Sequence, residues 1–228
     1  MDRRINYRIV LDTETCPIEK LEQIDAHNML VYDIGWAVID KRGKIYKTRS
    51  FINKDVFLKK DLMKSAYYVE KLPQYNEDIK SGNRLLLSWF EIRQELIKDI
   101  QEYSIKEIYA HNAYFDYTAI QTTQKWVTKE KYKYFFPKGV IICDTLKMSR
   151  MVIAKMPTYK KFCIENNYLT GQGKPRLTAE TLYKFISKDI SFIESHTGLE
   201  DVLIEKEILR YCFKQHQKMT KELFIKKF

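Results

Sequence analysis

Asp12 and Glu14 stand two residues apart in the stretch "RIVLDTETCP", directly after the apolar run Ile9, Val10 and Leu11. The run reads as a buried first strand over residues 5–12, and a strand sends every second side chain to the same side. Both carboxylates then aim at one point near the strand's C-terminal end, where ligand sites form in open α/β sheets. Taken alone, the pair is also what an ordinary loop start contains. A third acid, Asp116, shares a helical face with Ala119, Ile120 and Thr123, at spacings of three, four and seven. A carboxylate on that inward stripe is costly unless its charge is offset, although a first-turn aspartate also suits a helix dipole. A fourth, Asp201, lies three and seven residues before Ile204 and Ile208, again on an apolar stripe. His196 stands five residues before Asp201, and Gly198 between them allows a tight approach. A lone histidine there would read as a loop residue.

Four such carboxylates cannot all be ionised side by side without strong repulsion. Hard divalent cations resolve the conflict. Oxygen ligands suit Mg²⁺ or Mn²⁺, and two such ions roughly 3.5–4 Å apart suit phosphodiester hydrolysis. A histidine, with its pKa near working pH, can take the proton of the attacking water.

The elements that must carry these residues are readable in outline. Residues 31–40 and 44–52, joined by the turn at 41–43, form a hairpin of second and third strands. Residues 85–103 read as an amphipathic helix with Leu86, Trp89, Phe90, Ile97 and Ile100 on one stripe. Residues 106–112 are a short fourth strand leading into the Asp116 helix, and residues 139–145 a fifth. The last clear helix starts near Leu199 and runs past Cys212. The expected fold is α/β: a five-stranded mixed sheet, with an antiparallel meander of three strands followed by two parallel strands, flanked by helices. No repeat or Pro/Gly/Ser linker divides the 228 residues, so one domain (1–228) is expected, with insertions at 54–80 and 125–138.

The chain is basic, 40 Lys+Arg against 30 Asp+Glu, a net +10. From Lys125 to Lys161, ten basic residues face two acids, a local +8. Such a cluster suits a polyanion or is simply a solvated surface. Within 125–138, Tyr132, Tyr134, Phe135 and Phe136 stand among lysines, a pattern for stacking on bases while cations follow phosphates, unless the aromatics serve the core. The four cysteines have neither paired nor zinc-finger spacing and read as reduced thiols. The N-terminus has no signal-peptide core and no apolar run is long enough to span a bilayer, so no membrane association and a cytoplasmic location are expected.

"LDTET" (11–15), "HNAYFD" (111–116) and "HTGLED" (196–201) together resemble the three motifs of the DEDDh, or DnaQ-like, 3′–5′ exonucleases, which are proofreading-type nucleases. The motifs fall in the family's order and extend across nearly the whole chain. The resemblance implies a ribonuclease H-like fold and release of nucleoside 5′-monophosphates from 3′ ends. It implies that Asp12, Glu14 and Asp201 hold the cation that activates water. Asp12 bridges to a second cation, which Asp116 binds, and His196 is the general base. It also implies that backbone around Thr13 and Thr15 lines the 3′-terminal nucleotide, and that His111 and Asn112 support the site. Position 197 is Thr, so the family's tyrosine branch is disfavoured.

One departure stands out: where the family commonly continues with a small residue and glycine, this chain has Cys16-Pro17. Substrate preference is therefore less determined than chemistry. Single-stranded DNA is the expected substrate. RNA trimming and a non-catalytic nucleic-acid-binding module are the alternatives, and the complete motif set argues against the latter. A DNA polymerase or another replication or repair protein is the partner such an activity would serve, with monomer and homodimer both compatible. The compact chain and a composition typical of AT-rich genomes resemble small phage-encoded or bacterial exonucleases, which places the expected compartment in a bacterial or phage-infected cytoplasm.

Overall fold

The computed structural model describes residues 4–19, 25–66 and 68–224. Its centre is one mixed sheet. Strand β1 (Arg8–Pro17) pairs antiparallel with β2 (Met29–Ile39), and β2 pairs antiparallel with β3 (Ile45–Asn53). After β3 come two short helices, α1 (Lys54–Phe57) and α2 (Lys60–Met63), a turn, and α3 (Leu72–Ser81). Strand β4 (Leu85–Leu87) then pairs parallel with β3. Helix α4 (Trp89–Glu102) leads to β5 (Glu107–Ala110), which runs parallel to β1, and α5 (Ala113–Thr128) leads to β6 (Ile141–Asp144), parallel to β5. Helices α6 (Thr145–Met151), α7 (Pro157–Glu165), α8 (Ala179–Ser187) and α9 (Gly198–Lys214) complete the order. Across the sheet the strands run β4-β3-β2-β1-β5-β6.

The sheet has six strands, not the expected five. The additional one, Leu85–Leu87, lies where the sequence pattern predicts the start of the following helix. Ser88 explains the boundary. Its hydroxyl accepts from the Glu91 N–H while the Glu91 carboxylate accepts from the Ser88 N–H, a capping box that starts α4 at Trp89. The three leucines before the cap are left extended and pair with Phe51–Asn53. The inward stripe of α4 changes accordingly: Trp89, Ile92, Leu96 and Ile100 are buried, whereas Phe90 faces solvent.

The first strand is also longer than expected. It continues through Cys16 and Pro17, paired with Leu30 and Met29. Cys16 is fully buried among Leu30, Tyr32, Ile52, Val56, Met63, Ala66 and Tyr75. The insertion after β3 therefore packs on the extension of β1, and Cys16 is the core residue that receives it. A bulge between Glu14 and Thr15, with Tyr32 of β2 as the extra residue, bends the pair beside the acids.

Helices cover both faces. Ile9, Leu11, Trp36 and Val38 pack towards α4 and α5, while Val10, Ala37 and Ile39 pack towards α6–α9. Alternation along β1 puts Asp12 and Glu14 on the same face as Val10, beneath the start of α9. No described helix is long and apolar enough to cross a membrane.

Candidate active site

Parallel pairing of β1 with β5 is recorded at Ile9 and Val10, while β1 and β2 run on together to Pro17. Asp12 and Glu14 thus project just past the parallel half of the sheet, inside a long strand rather than at its end. Three other elements converge on them. Asn112, in the left-handed conformation that asparagine tolerates, turns the chain from β5 into α5 and sets Asp116 in that helix's first turn. Thr13, on the opposite face of β1, donates its hydroxyl to Asp116 Oδ1 at 2.8 Å. Asp201 comes from the first turn of α9.

Two glycines let α9 approach. A Cβ on Gly35, opposite Asp12 in β2, would lie 2.4 Å from the Leu199 nitrogen and 2.6 Å from the Gly198 carbonyl carbon. A Cβ on Gly198 would lie 2.9 Å from the Gly35 nitrogen. Beneath this contact Asp33, fully buried, accepts from the Gly198 N–H at 3.0 Å and the Tyr75 hydroxyl at 2.9 Å. Arg84 binds Asp33 at 3.1 Å, Asp78 at 3.0 Å and Glu200 at 2.6 Å, so one buried guanidinium ties β2 and α3 to the start of α9.

Ligand atoms of Glu14, His196 and Asp201 all lie within 4.8 Å of one another. His196 holds φ at 51°, an uncommon value for this residue type, and its ring stacks on Tyr68 with centroids 4.4 Å apart and planes 10° apart. Tyr68 belongs to the insertion anchored on Cys16. Burial, then the nearby Lys71 charge, lowers the His196 pKa, which favours the neutral imidazole.

The acids behave oppositely. Burial, then neighbouring carboxylates including Asp33 and Asp201, pushes Glu14 up to about 9. Burial and the Glu194 and Glu200 charges push Asp201 up to about 8. Burial raises Asp116 to about 7 against the Thr13 hydrogen bond that lowers it. Asp12 is raised by burial and by Glu205, Asp116, Asp201 and Glu14 around it. A site that resists the charge of its own acids is one suited to divalent cations, and hard carboxylate oxygens fit Mg²⁺ or Mn²⁺.

A cleft of about 1050 Å³ opens from this cluster. Asp12, Glu14, His196 and Asp201 form its charged end; Leu146, Pro175 and Leu177 supply apolar wall, and Arg150 and Lys174 are cations on its margin. Thr13 and Asn112 line it too, although the Thr13 side chain is engaged with Asp116. Thr15 is buried beyond the bulge. His111 supports the cleft rather than facing it with a free nitrogen: Nε2 lies 2.7 Å from the Leu177 carbonyl oxygen and Nδ1 2.9 Å from the Thr145 hydroxyl. The carbonyl can only accept, so Nε2 carries the proton. Tyr132 and Tyr134 are elsewhere. They are exposed in a groove with Arg93, Lys131, Lys133 and Lys138, beyond the C-terminal end of α5, roughly 20 Å of helix from Asp116. Their neighbour Phe135 is buried against Trp89.

No protein-family model and no curated relative matches the sequence. Solved structures do. A full-length 3′-exonuclease superposes with a TM-score of 0.63 at 9% identity, covering 95% of this chain and 85% of the other. The nuclease domain of 3′hExo, a DEDDh family member bound to rAMP, gives 0.50 at 10% identity over 98% of this chain and 100% of that one. The chain has the fold of the DEDDh 3′-exonucleases. Exonuclease I from Methylocaldum szegediense shares it as well, with a TM-score of 0.57 at 15% identity over 93% of this chain and 41% of that protein. The exonuclease fold accounts for the expected ribonuclease H-like sheet, with β4 added at its edge.

Sequence reading missed Tyr68, Asp33, Glu194 and Glu205. Glu205 was open to detection, because it follows Asp201 by four residues and so shares its helical face. Glu194 and Tyr68 carry no such periodic signal.

Proposed function

We propose that the chain is a metal-dependent 3′–5′ exonuclease acting on single-stranded nucleic acid, DNA in preference, and releasing nucleoside 5′-monophosphates as one domain. The observation that carries this reading is the convergence of Asp12, Glu14, Asp201 and His196 in one cleft, with Asp116 bonded to the cleft residue Thr13, on the fold of 3′-exonucleases. Asp12, Glu14 and Asp201 would hold one cation, and Asp12 with Asp116 a second. Two Mg²⁺ or Mn²⁺ ions bound there supply activation of a water and stabilisation of the departing 3′ oxygen. His196, its pKa lowered by burial and its ring held flat against Tyr68, takes the proton of the attacking water at a ring nitrogen. Thr13 holds Asp116 in place, while backbone near Thr13 and Thr15 and the exposed Asn112 border the terminal nucleotide. Arg150 and Lys174 follow the phosphates upstream.

Tyr132 and Tyr134 with Lys131, Lys133 and Lys138 form a second contact for longer strands, through stacking and phosphate pairing. This groove affects long substrates and leaves short ones alone. RNA is the second reading. One similar structure shows a 3′-exonuclease recognising the 3′ end of a histone mRNA stem-loop, at 9% identity and a TM-score of 0.54. The test is digestion of matched 3′-labelled DNA and RNA oligomers with Mg²⁺ and with EDTA. Mononucleotide release that requires the metal and is faster on DNA supports the proposal. Faster release from RNA favours the second reading, and no metal-dependent release from either refutes both.

A further inference from the structure

Helix α9 buries a fifth carboxylate that no motif calls for. Glu205 is 3% exposed, one turn after Asp201 on the buried side of the helix with Val202, Ile208 and Leu209. Its Oε1 accepts from the His111 N–H at 3.3 Å, which fixes the side chain against the turn that carries Asn112 and leads to Asp116. Its Oε2 is buried with no hydrogen-bond partner. The carboxylate lines the same cleft as Asp12 and Asp201, and Asp116, Asp201 and Glu194 are its charge neighbours.

Two acids buried outside the cluster are treated differently. Asp33 is paired with Arg84, and Asp99 with Lys47 and Arg49. Among the described residues Glu205 has no cationic partner. A helix that buries an ionised carboxylate beside four others, with one oxygen unpaired, carries a large desolvation cost that a cation arriving from outside the chain would offset. We propose that Glu205 is a fifth carboxylate of the cation site, its unpaired oxygen holding a bound cation directly or through a water of its shell. This rests on the reading of the acid cluster as a cation site, and it adds a residue that the motifs omit. Glu205 is thus expected to tighten cation binding on the side of the site formed by Asp12 and Asp116, with His111 as the backbone anchor that keeps the carboxylate pointed there.

The test uses the full chain stripped of metal, with Mn²⁺ alone as the probe. Mn²⁺ titration calorimetry and thermal melts in EDTA are run on wild type, Glu205→Gln, Glu205→Met and Asp12→Asn. Both Glu205 variants are expected to fold, to melt roughly 2–4 °C above wild type without metal, and to bind Mn²⁺ about 10–100-fold more weakly. Wild-type Mn²⁺ affinity in both Glu205 variants, while Asp12→Asn loses binding, overturns the inference and leaves the cation site standing. Failure of both variants to fold, or lower melting in EDTA, also overturns it, because the carboxylate would then serve the fold. Unchanged binding in Asp12→Asn as well brings down the cation-site reading itself.

Discussion

Gly35→Ala tests the geometry on which the whole site depends. The new Cβ would lie 2.4 Å from the Leu199 nitrogen, 2.6 Å from its Cα and 2.6 Å from the Gly198 carbonyl carbon, all of them backbone. Ordinary contact begins near 3.4 Å, so the start of α9 must retreat by about 1 Å. No flexible side chain can absorb that shift. Asp201 rides on the displaced turn, and the Gly198 N–H that donates to Asp33 moves with it. A misplacement of about 1 Å in a catalytic group costs on the order of 100-fold in rate, and overpacking costs roughly 1–3 kcal/mol of stability. For a chain of this size that lowers the melting temperature by about 2–12 °C. The assay is steady-state release of the 3′-terminal nucleotide from a labelled single strand, read beside a thermal melt. Gly171→Ala is the control, because a Cβ there meets nothing within 4 Å. The expected result is a kcat fall of about 100-fold in Gly35→Ala with wild-type behaviour in the control. Wild-type kcat and melting in Gly35→Ala would refute the close approach of β2 and α9 as the device that assembles the site.

Three further outcomes are expected. Without metal, folded-state values of about 9 for Glu14, about 8 for Asp201 and about 7 for Asp116 lie above their ordinary values, so the folded state binds more protons than the unfolded one. The contribution of these three acids in EDTA is then fully present below about pH 4 and is lost as pH rises to about 9; melts of wild type compared with Glu14→Gln across that range check the sign, and Mn²⁺ is expected to restore stability at the alkaline end. Arg84→Met leaves Asp33 buried without its guanidinium and is expected to cost about 3–5 kcal/mol in denaturant unfolding, with activity lost alongside. Tyr68→Ala removes the ring beneath His196 and is expected to lower kcat by roughly 2- to 12-fold, from about 0.5–1.5 kcal/mol of aromatic pairing, with Tyr68→Phe near wild type in the same kinetics.

The acids were legible in the sequence because each stood where an apolar residue belonged. Asp116 and Asp201 interrupt helical stripes that the structure buries, and Asp12 with Glu14 continues a core strand. Local pattern was enough there. It failed at Leu85–Leu87, where a leucine run suits a strand and a helix equally, and only the Ser88 capping box and the pairing with β3 decide. It failed again at Cys16-Pro17. There β1 runs on to receive the 54–80 insertion, a contact between segments some fifty residues apart. The same insertion brings Tyr68 to His196, so the residue that orients the proposed base was invisible for the same reason. In the basic aromatic segment the split between core and surface follows from packing alone: Phe135 fills a space beside Trp89, and Tyr132 and Tyr134 do not.

The central claim is that Asp12 anchors a cation-dependent cut at the 3′ end, and single-turnover digestion with wild type and Asp12→Ala tests it most directly. One set of single-stranded oligomers carries a label on the last nucleotide and another on an internal one, each with Mg²⁺ present. Wild type is expected to release the terminal label first, as a mononucleotide, and Asp12→Ala, folded by its melt, to release neither. Terminal release at the wild-type rate by Asp12→Ala, or early loss of the internal label by the wild type, would contradict it.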